Sequence, residues 1–389
     1  MRDPISKVAR AMQPSGIRKF FDVVAEMPDA ISLGVGEPDF DTPWHIREAG
    51  IYSLEQGRTF YTSNSGLMEL RQEVSSYYSR RHGLIYDPKS EIFITVGGSE
   101  AIDMAIRAMC DPGDEVIIPE PCYVSYVPCV ALAGAVPVTI PLKEENEFRL
   151  TAQELLEAIT PKTKVLMLAF PNNPTGAIMN RENLEAIAKI CIEKDILVVS
   201  DEIYSELTYG NEEHVTIASL PGMQERTVVI NGFSKAYAMT GWRLGFVAGP
   251  SEIIPQMLKL HQYAIMCAPT TSQYAGVEAL RNGDDDIKKM RESYNQRRRY
   301  LIKELNDMGL KCFEPLGAFY VFPSIQSTGM TSDEFANKLL AEEKLAVVPG
   351  TAFGACGEGF VRISYAYSLD ELKEAIGRIK SFVGRHTTK

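Results

Sequence analysis

Ser234, Lys235 and Arg243 stand in one short segment, NGFSKAYAMTGWRLGFVAG over residues 231–249, directly after the apolar run Thr227-Val228-Val229-Ile230. That run reads as a buried strand, so Lys235 lies just past a strand end, where lysine is uncommon unless something pairs it. Arg243 comes eight positions later, near enough in sequence to share a pocket. A hydroxyl, an amine and a guanidinium together can hold a phosphorylated ligand and supply an amine nucleophile. Taken alone, the segment is equally a strand end with solvated basic residues.

Three other segments carry chemistry of the same kind. After the apolar run at 92–96 comes Gly97-Gly98-Ser99-Glu100-Ala101, which opens a helical pattern. Glycines at such a turn expose backbone N–H groups, and a helix N-terminus favours an anion. Neither GxGxxG nor a P-loop is present, so a single phosphate group fits better than a dinucleotide or ATP, and taken alone the segment is equally a generic turn from strand to helix. Pro171-Asn172-Asn173-Pro174-Thr175-Gly176 follows another strand and is turn chemistry first. Val198-Val199-Ser200-Asp201-Glu202-Ile203-Tyr204 puts an acid at a buried strand end, where a carboxylate needs a cationic partner such as a protonated pyridine nitrogen. Near the N-terminus, Gly34 and Gly36 before Glu37-Pro38-Asp39 mark a loop that lets backbone approach a ligand.

The elements that must position these residues alternate between strand and helix. Apolar runs at 92–96, 115–119, 136–140, 164–170, 196–200, 227–231 and 244–248 predict seven strands buried on both faces, as in a largely parallel sheet. Helical patterns fill the gaps, for example at 99–110, 152–159 and 181–194. The candidate chemistry falls at the C-terminal strand ends, where open α/β sheets bind ligands. After a long helical pattern near 283–309, short strands at 318–323 and 360–364 and helices at 331–342 and 369–383 predict a smaller α+β domain. The expected division is an N-terminal arm with part of the small domain over 1–45, a large domain over 46–282 and a small domain over 283–389. Arg297-Arg298-Arg299 reads as a solvated helix face, and Asp284-Asp285-Asp286 as an acidic helix start.

Composition narrows the function. A chain of 389 residues with 45% hydrophobic and 23% charged residues is an ordinary globular protein, and its net charge of −11 disfavours nucleic-acid or anionic-membrane binding. No signal-peptide core or membrane-length apolar run occurs. Seven scattered cysteines without a CxxC pair read as reduced thiols in a cytoplasmic protein. Five separated histidines make a metal site or a Ser-His-Asp mechanism improbable.

GGSEA after a strand, PNNPTG, SDEIY and NGFSKAYAMTGWRLG, in this order, resemble class I pyridoxal-phosphate aminotransferases of fold type I, over nearly the whole chain. The resemblance implies a cofactor, pyridoxal 5′-phosphate (PLP), and gives Lys235 the role of the Schiff-base lysine that also moves the substrate Cα proton. Asp201 resembles the acid that pairs with the pyridine N1–H and keeps the ring an electron sink. Asn173 and Tyr204 resemble the pair that hydrogen-bonds the cofactor O3′. Gly98, Ser99, Ser234 and Arg243 resemble the phosphate site, with Tyr61 donated by the neighbouring subunit of a homodimer. Tyr123 stands where relatives stack an aromatic on the pyridine ring, often Trp or Phe. Arg362, in Gly359-Phe360-Val361-Arg362-Ile363-Ser364, resembles the α-carboxylate arginine, and Gly36 the glycine whose N–H touches the same carboxylate.

The implied reaction is ping-pong transamination between an L-amino acid and a 2-oxo acid, with 2-oxoglutarate expected on one side. The chain is most similar to the branch holding aspartate, aromatic and N-acetyl-diaminopimelate aminotransferases, which leaves the donor open. Ser15-Gly16-Ile17-Arg18 and the loop at Tyr61 are the expected specificity regions. Carbon–sulfur β-lyases share this fold and would instead release pyruvate and ammonia. A regulator built on the same domain would need an appended DNA-binding unit, for which residues before Ile31 give no room.

Overall fold

The computed structural model describes residues 2–14, 16–17, 27, 29–211 and 213–386. Seven strands form the central sheet: β2 (Ile92–Thr95), β3 (Glu115–Glu120), β4 (Val136–Pro141), β5 (Thr163–Leu168), β6 (Leu197–Asp201), β7 (Thr227–Gly232) and β8 (Gly245–Ala248), in the order β2-β8-β7-β6-β5-β3-β4. All pairings are parallel except those of β8, which runs antiparallel to both β2 and β7. Every residue of β2, β7 and β8 is buried, as their unbroken Val/Ile-rich runs require, whereas β4 at the sheet edge is mostly exposed or half-buried.

Helices cover both faces. On one, residues of the helices Gly98–Met109, Tyr126–Leu132 and Ile254–Ala264 pack against Phe93, Val116, Val199 and Val228. The other face carries the helices Trp44–Glu55, Met68–His82 and Thr270–Asn282 near β2 and β8, and Ala152–Ala158 and Arg181–Glu193 near β5. The last two begin at side-chain caps, Thr151 accepting from the Glu154 N–H and Asn180 from the Asn183 N–H.

A separate core gathers the helices Asp284–Asp307, Ser332–Glu343 and Leu369–His386 around two small sheets. One pairs β1 (Ile31–Ser32) in parallel with β10 (Leu345–Ala346), so the N-terminal segment completes this unit. The other is antiparallel, in the order β11 (Val348–Pro349), β12 (Val361–Ser364), β9 (Tyr320–Val321).

One expectation fails here. Arg297 and Arg298 are not on a solvated face but are 9% and 3% exposed. Helical periodicity sets them beside the buried Tyr294 and Leu301, and each finds a partner inside. Arg297 Nη1 donates to Asp39 at 2.8 Å, and Arg298 Nη1 to Glu314 and the Pro315 carbonyl, both at 3.0 Å. Only Arg299 of the three is exposed.

Candidate active site

The C-terminal ends of β5, β6 and β7 open into a cavity of about 390 Å³, walled on its far side by Gly36, Tyr320 and Arg362. Gly98, Ser99, Tyr123, Asn173, Asp201, Tyr204, Ser234, Lys235 and Arg243 also line it. Tyr61 does not; it stands 80% exposed on the outer surface. Of the expected specificity segment, Ile17 lines the cavity and Gly16 packs beside it near Ala352, while Ser15 and Arg18 lie outside the described residues.

Lys235 follows β7 after a two-residue step and turns inward. Its Nζ donates to the Gly36 carbonyl at 2.6 Å and lies 5.9 Å from the Tyr204 ring centroid and 5.8 Å from that of Phe319. Burial, opposed by Glu37 and reinforced by Arg362 and Arg243, pulls its pKa down to about 8. An amine so placed is a far better nucleophile and base near neutrality than an ordinary lysine.

Asp201 ends β6, 7% exposed. Burial raises its pKa, while hydrogen bonds from the Tyr126 hydroxyl (2.8 Å) and the Ile203 N–H (3.2 Å) oppose the rise. No cation forms an ion pair with it among the described residues. The neighbouring Glu202 faces elsewhere, 3.0 Å from His214 Nε2.

The loop after β5 divides labour between its two asparagines. Asn172 Oδ1 accepts from the Thr175 N–H at 3.2 Å and hydroxyl at 2.8 Å and so builds the turn. That frees Asn173 to face the cavity, where its Oδ1 accepts from Arg362 Nη1 at 2.8 Å. Turn chemistry and site chemistry thus belong to adjacent residues.

At the start of the helix Gly98–Met109, Gly97 takes φ +79, a conformation that favours glycine, and a Cβ there would meet Arg243 Nη2 at 2.9 Å. Gly245 crosses beneath this turn; its Cβ would lie 2.8 Å from the Gly97 carbonyl carbon. Two glycines therefore let the helix N-terminus, the exposed Ser99 and the Arg243 guanidinium close on one spot. Free N–H groups, a hydroxyl and a fixed positive charge make it an anion site.

Arg362, in the middle of β12, is 2% exposed, its guanidinium between the rings of Tyr320 (4.5 Å) and Phe353 (4.8 Å). Besides Asn173 it reaches the Gly34 carbonyl through Nη2, and its Nε has no partner. Burial lowers its pKa, and among the described residues no carboxylate answers it. A buried guanidinium that lines a cavity, with neutral partners and no carboxylate among the described residues, calls for an incoming carboxylate. The segment from Gly34 to Asp39 links all these parts, since Gly34 meets Arg362, Gly36 meets Lys235, Glu37 meets Thr240 and Asp39 meets Arg297.

A matching family model, aminotransferase class I and II, spans residues 28–379. The chain belongs to this family. The aminotransferase is 54% identical over 387 residues to a putative aminotransferase, YugH, of Bacillus subtilis, covering 100% of both chains. It is 49% identical over 371 residues to an aspartate aminotransferase of Pyrococcus abyssi, 95% of each. The crystal structure of an aromatic aminotransferase from Pyrococcus horikoshii superposes with a TM-score of 0.90 at 46% identity, over 94% of this chain and 99% of that one. The fold is thus that of PLP-dependent aminotransferases, and the enzyme is a PLP-dependent transaminase.

The cavity suits that cofactor on its own chemistry. Asp201 is a buried acid lacking a cation, the Gly97–Ser99 turn with Arg243 is an anion cradle, and Lys235 is an amine with lowered pKa between them. Sequence reasoning missed Tyr126, Tyr320, Glu37 and Val35, which also line the cavity. Tyr126 stands three residues after Tyr123, a signal available in PCYVSY but not used; Tyr320 and Val35 read as strand and loop apolars, with nothing local to set them apart.

Proposed function

We propose that the enzyme transfers the amino group of an L-amino acid to 2-oxoglutarate by a ping-pong cycle, with PLP held through Lys235. The carrying observation is that Lys235, Asp201 and Arg362 meet in one cavity, each buried or half-buried and none in an ion pair among the described residues. When bound, PLP supplies an aldehyde that condenses with amines and a protonated ring that accepts the electron pair of the substrate Cα–H bond.

Arg362 fixes the substrate α-carboxylate in a planar fork, with Asn173 holding the guanidinium from the other side. Lys235 Nζ takes the Cα proton, its lowered pKa suiting it to both release and capture. Asp201 would pair with the ring N1–H, Tyr204 and Asn173 would serve the O3′ side, and Tyr123 would stack on the ring. Gly98, Ser99, Ser234 and Arg243 receive the phosphate. With Arg362 as the one carboxylate arginine assigned in this cavity, donor and acceptor would take turns there, which is the kinetic meaning of ping-pong.

A large domain over 46–282 and a small one over 283–389, joined by part of the N-terminal segment 1–45, would give Arg362 and Gly36 a body that can close on substrate. The working unit is a homodimer. Phe60, Tyr61 and Tyr263 are 81%, 80% and 87% exposed, and their segments are tied by Asn64 Nδ2 to the Met266 carbonyl (2.8 Å) and Thr270 to the Phe60 carbonyl (2.7 Å). A second copy covering this patch would carry Tyr61 to the neighbouring phosphate site. Seven unpaired thiols suit the cytoplasm.

Lys235→Ala tests the reading. The variant should lose both the visible cofactor band and transamination; retention of either overturns it. A panel of amino acids with 2-oxoglutarate then identifies the donor, and ammonia released without an acceptor would mark a lyase instead.

A further inference from the structure

Tyr126 does more than fill the core. It opens the helix Tyr126–Leu132 after β3, and its ring meets that of Tyr123 edge-on, centroids 5.7 Å apart at 76°. The side chain is buried, yet its hydroxyl reaches the cavity floor and donates to Asp201 Oδ2 at 2.8 Å. The Ile203 N–H takes Oδ1 at 3.2 Å, so each carboxylate oxygen holds one neutral donor and keeps a lone pair for the cavity. Glu202, the other acid within reach in sequence, is engaged by His214, Ser200 and Thr216 on a different side. The Tyr126 hydroxyl is therefore the side-chain donor on the acid assigned to the pyridine nitrogen.

We infer that Tyr126 is a positioning residue that sets both the orientation of Asp201 and how strongly Asp201 draws the ring N1 proton. The inference rests on the assignment of Asp201 to N1 made above. A donor on a carboxylate spreads its negative charge and weakens it as a base. With Tyr126 in place, the proton stays on the ring nitrogen, and the ring keeps its capacity to accept electrons. Without it, Asp201 competes for that proton.

The test uses the holoenzyme reconstituted with PLP labelled with ¹⁵N at the ring nitrogen. In Tyr126→Phe the ¹⁵N resonance should move toward the unprotonated pyridine position. kcat should fall about tenfold, one pKa unit's worth, while KM for the amino acid stays within about twofold. Fluorotyrosine placed at 126, a stronger donor, should move the resonance the opposite way. An unchanged resonance in Tyr126→Phe, or a fall in kcat with no spectral change, overturns the inference and leaves Tyr126 a packing residue. A separate control, Asp201→Asn, checks the underlying assignment: if that variant too leaves the wild-type resonance unmoved, the error lies in Asp201's role rather than in Tyr126's.

Discussion

Lys235 and Gly36 are joined by a 2.6 Å hydrogen bond from the lysine Nζ to the glycine carbonyl, across 199 residues of chain. The bond aims the amine into the cavity while burial lowers its pKa to about 8. In the cofactor-free protein the amine should be protonated and unreactive below that value and a free nucleophile above it. Its reaction rate with an aldehyde reagent should then rise about tenfold per pH unit up to about 8 and level off. A rate that keeps climbing through pH 10, as for a solvated lysine, would contradict the assignment.

Arg362→Lys keeps the charge and loses the fork. Lysine cannot at once hold Asn173 and present a planar pair of donors, so substrate carboxylates should bind more weakly by about 2–3 kcal/mol, or roughly 30- to 150-fold in KM. Cofactor absorption should shift only slightly, through Asn173, which Arg362 holds and which serves the O3′ side. Steady-state kinetics with the best donor of the panel checks this.

Gly245→Ala should damage the phosphate turn from beneath. The added methyl would sit 2.8 Å from backbone at Gly97 and 2.9 Å from Thr95 Oγ1, and neither can retreat without moving β2. The cost is about 1–3 kcal/mol of stability, with PLP affinity falling in parallel. Thermal denaturation of the cofactor-free protein and PLP titration separate the two effects.

Hybrid dimers test the sharing of Tyr61. Tyr61→Ala and Lys235→Ala homodimers should each be impaired, the first in cofactor affinity and the second in all activity. Mixing them after dissociation should regenerate one complete site per hybrid, and with it activity at low PLP concentration. No recovery on mixing would mean that Tyr61 serves no neighbouring site.

The fold was legible because its strands are nearly uniform apolar runs; four of the seven begin at the expected residue and the other three within one residue of it. What could not be read was direction. Nothing in Gly245–Ala248 distinguishes an antiparallel strand from a parallel one, since it is buried on both faces either way. The site residues that announced themselves carry charge or sit at glycine turns. Tyr126 and Tyr320 did not, because a tyrosine whose ring is core and whose hydroxyl is functional has the sequence signature of core alone. Arg297 misled for the opposite reason: its partner Asp39 is 258 residues away, beyond any local pattern.

The tie between Gly34 and Arg362 spans 328 residues, so the two sides of the substrate pocket are synthesised far apart in time. While the ribosome works, the Gly34–Asp39 segment has neither Lys235 nor Arg362 to hold, and the sheet can form before the pocket does. Catalytic competence is therefore a late event in the life of each chain, and a nascent chain halted before β12 has no carboxylate arginine with which to act on the cell's amino acids.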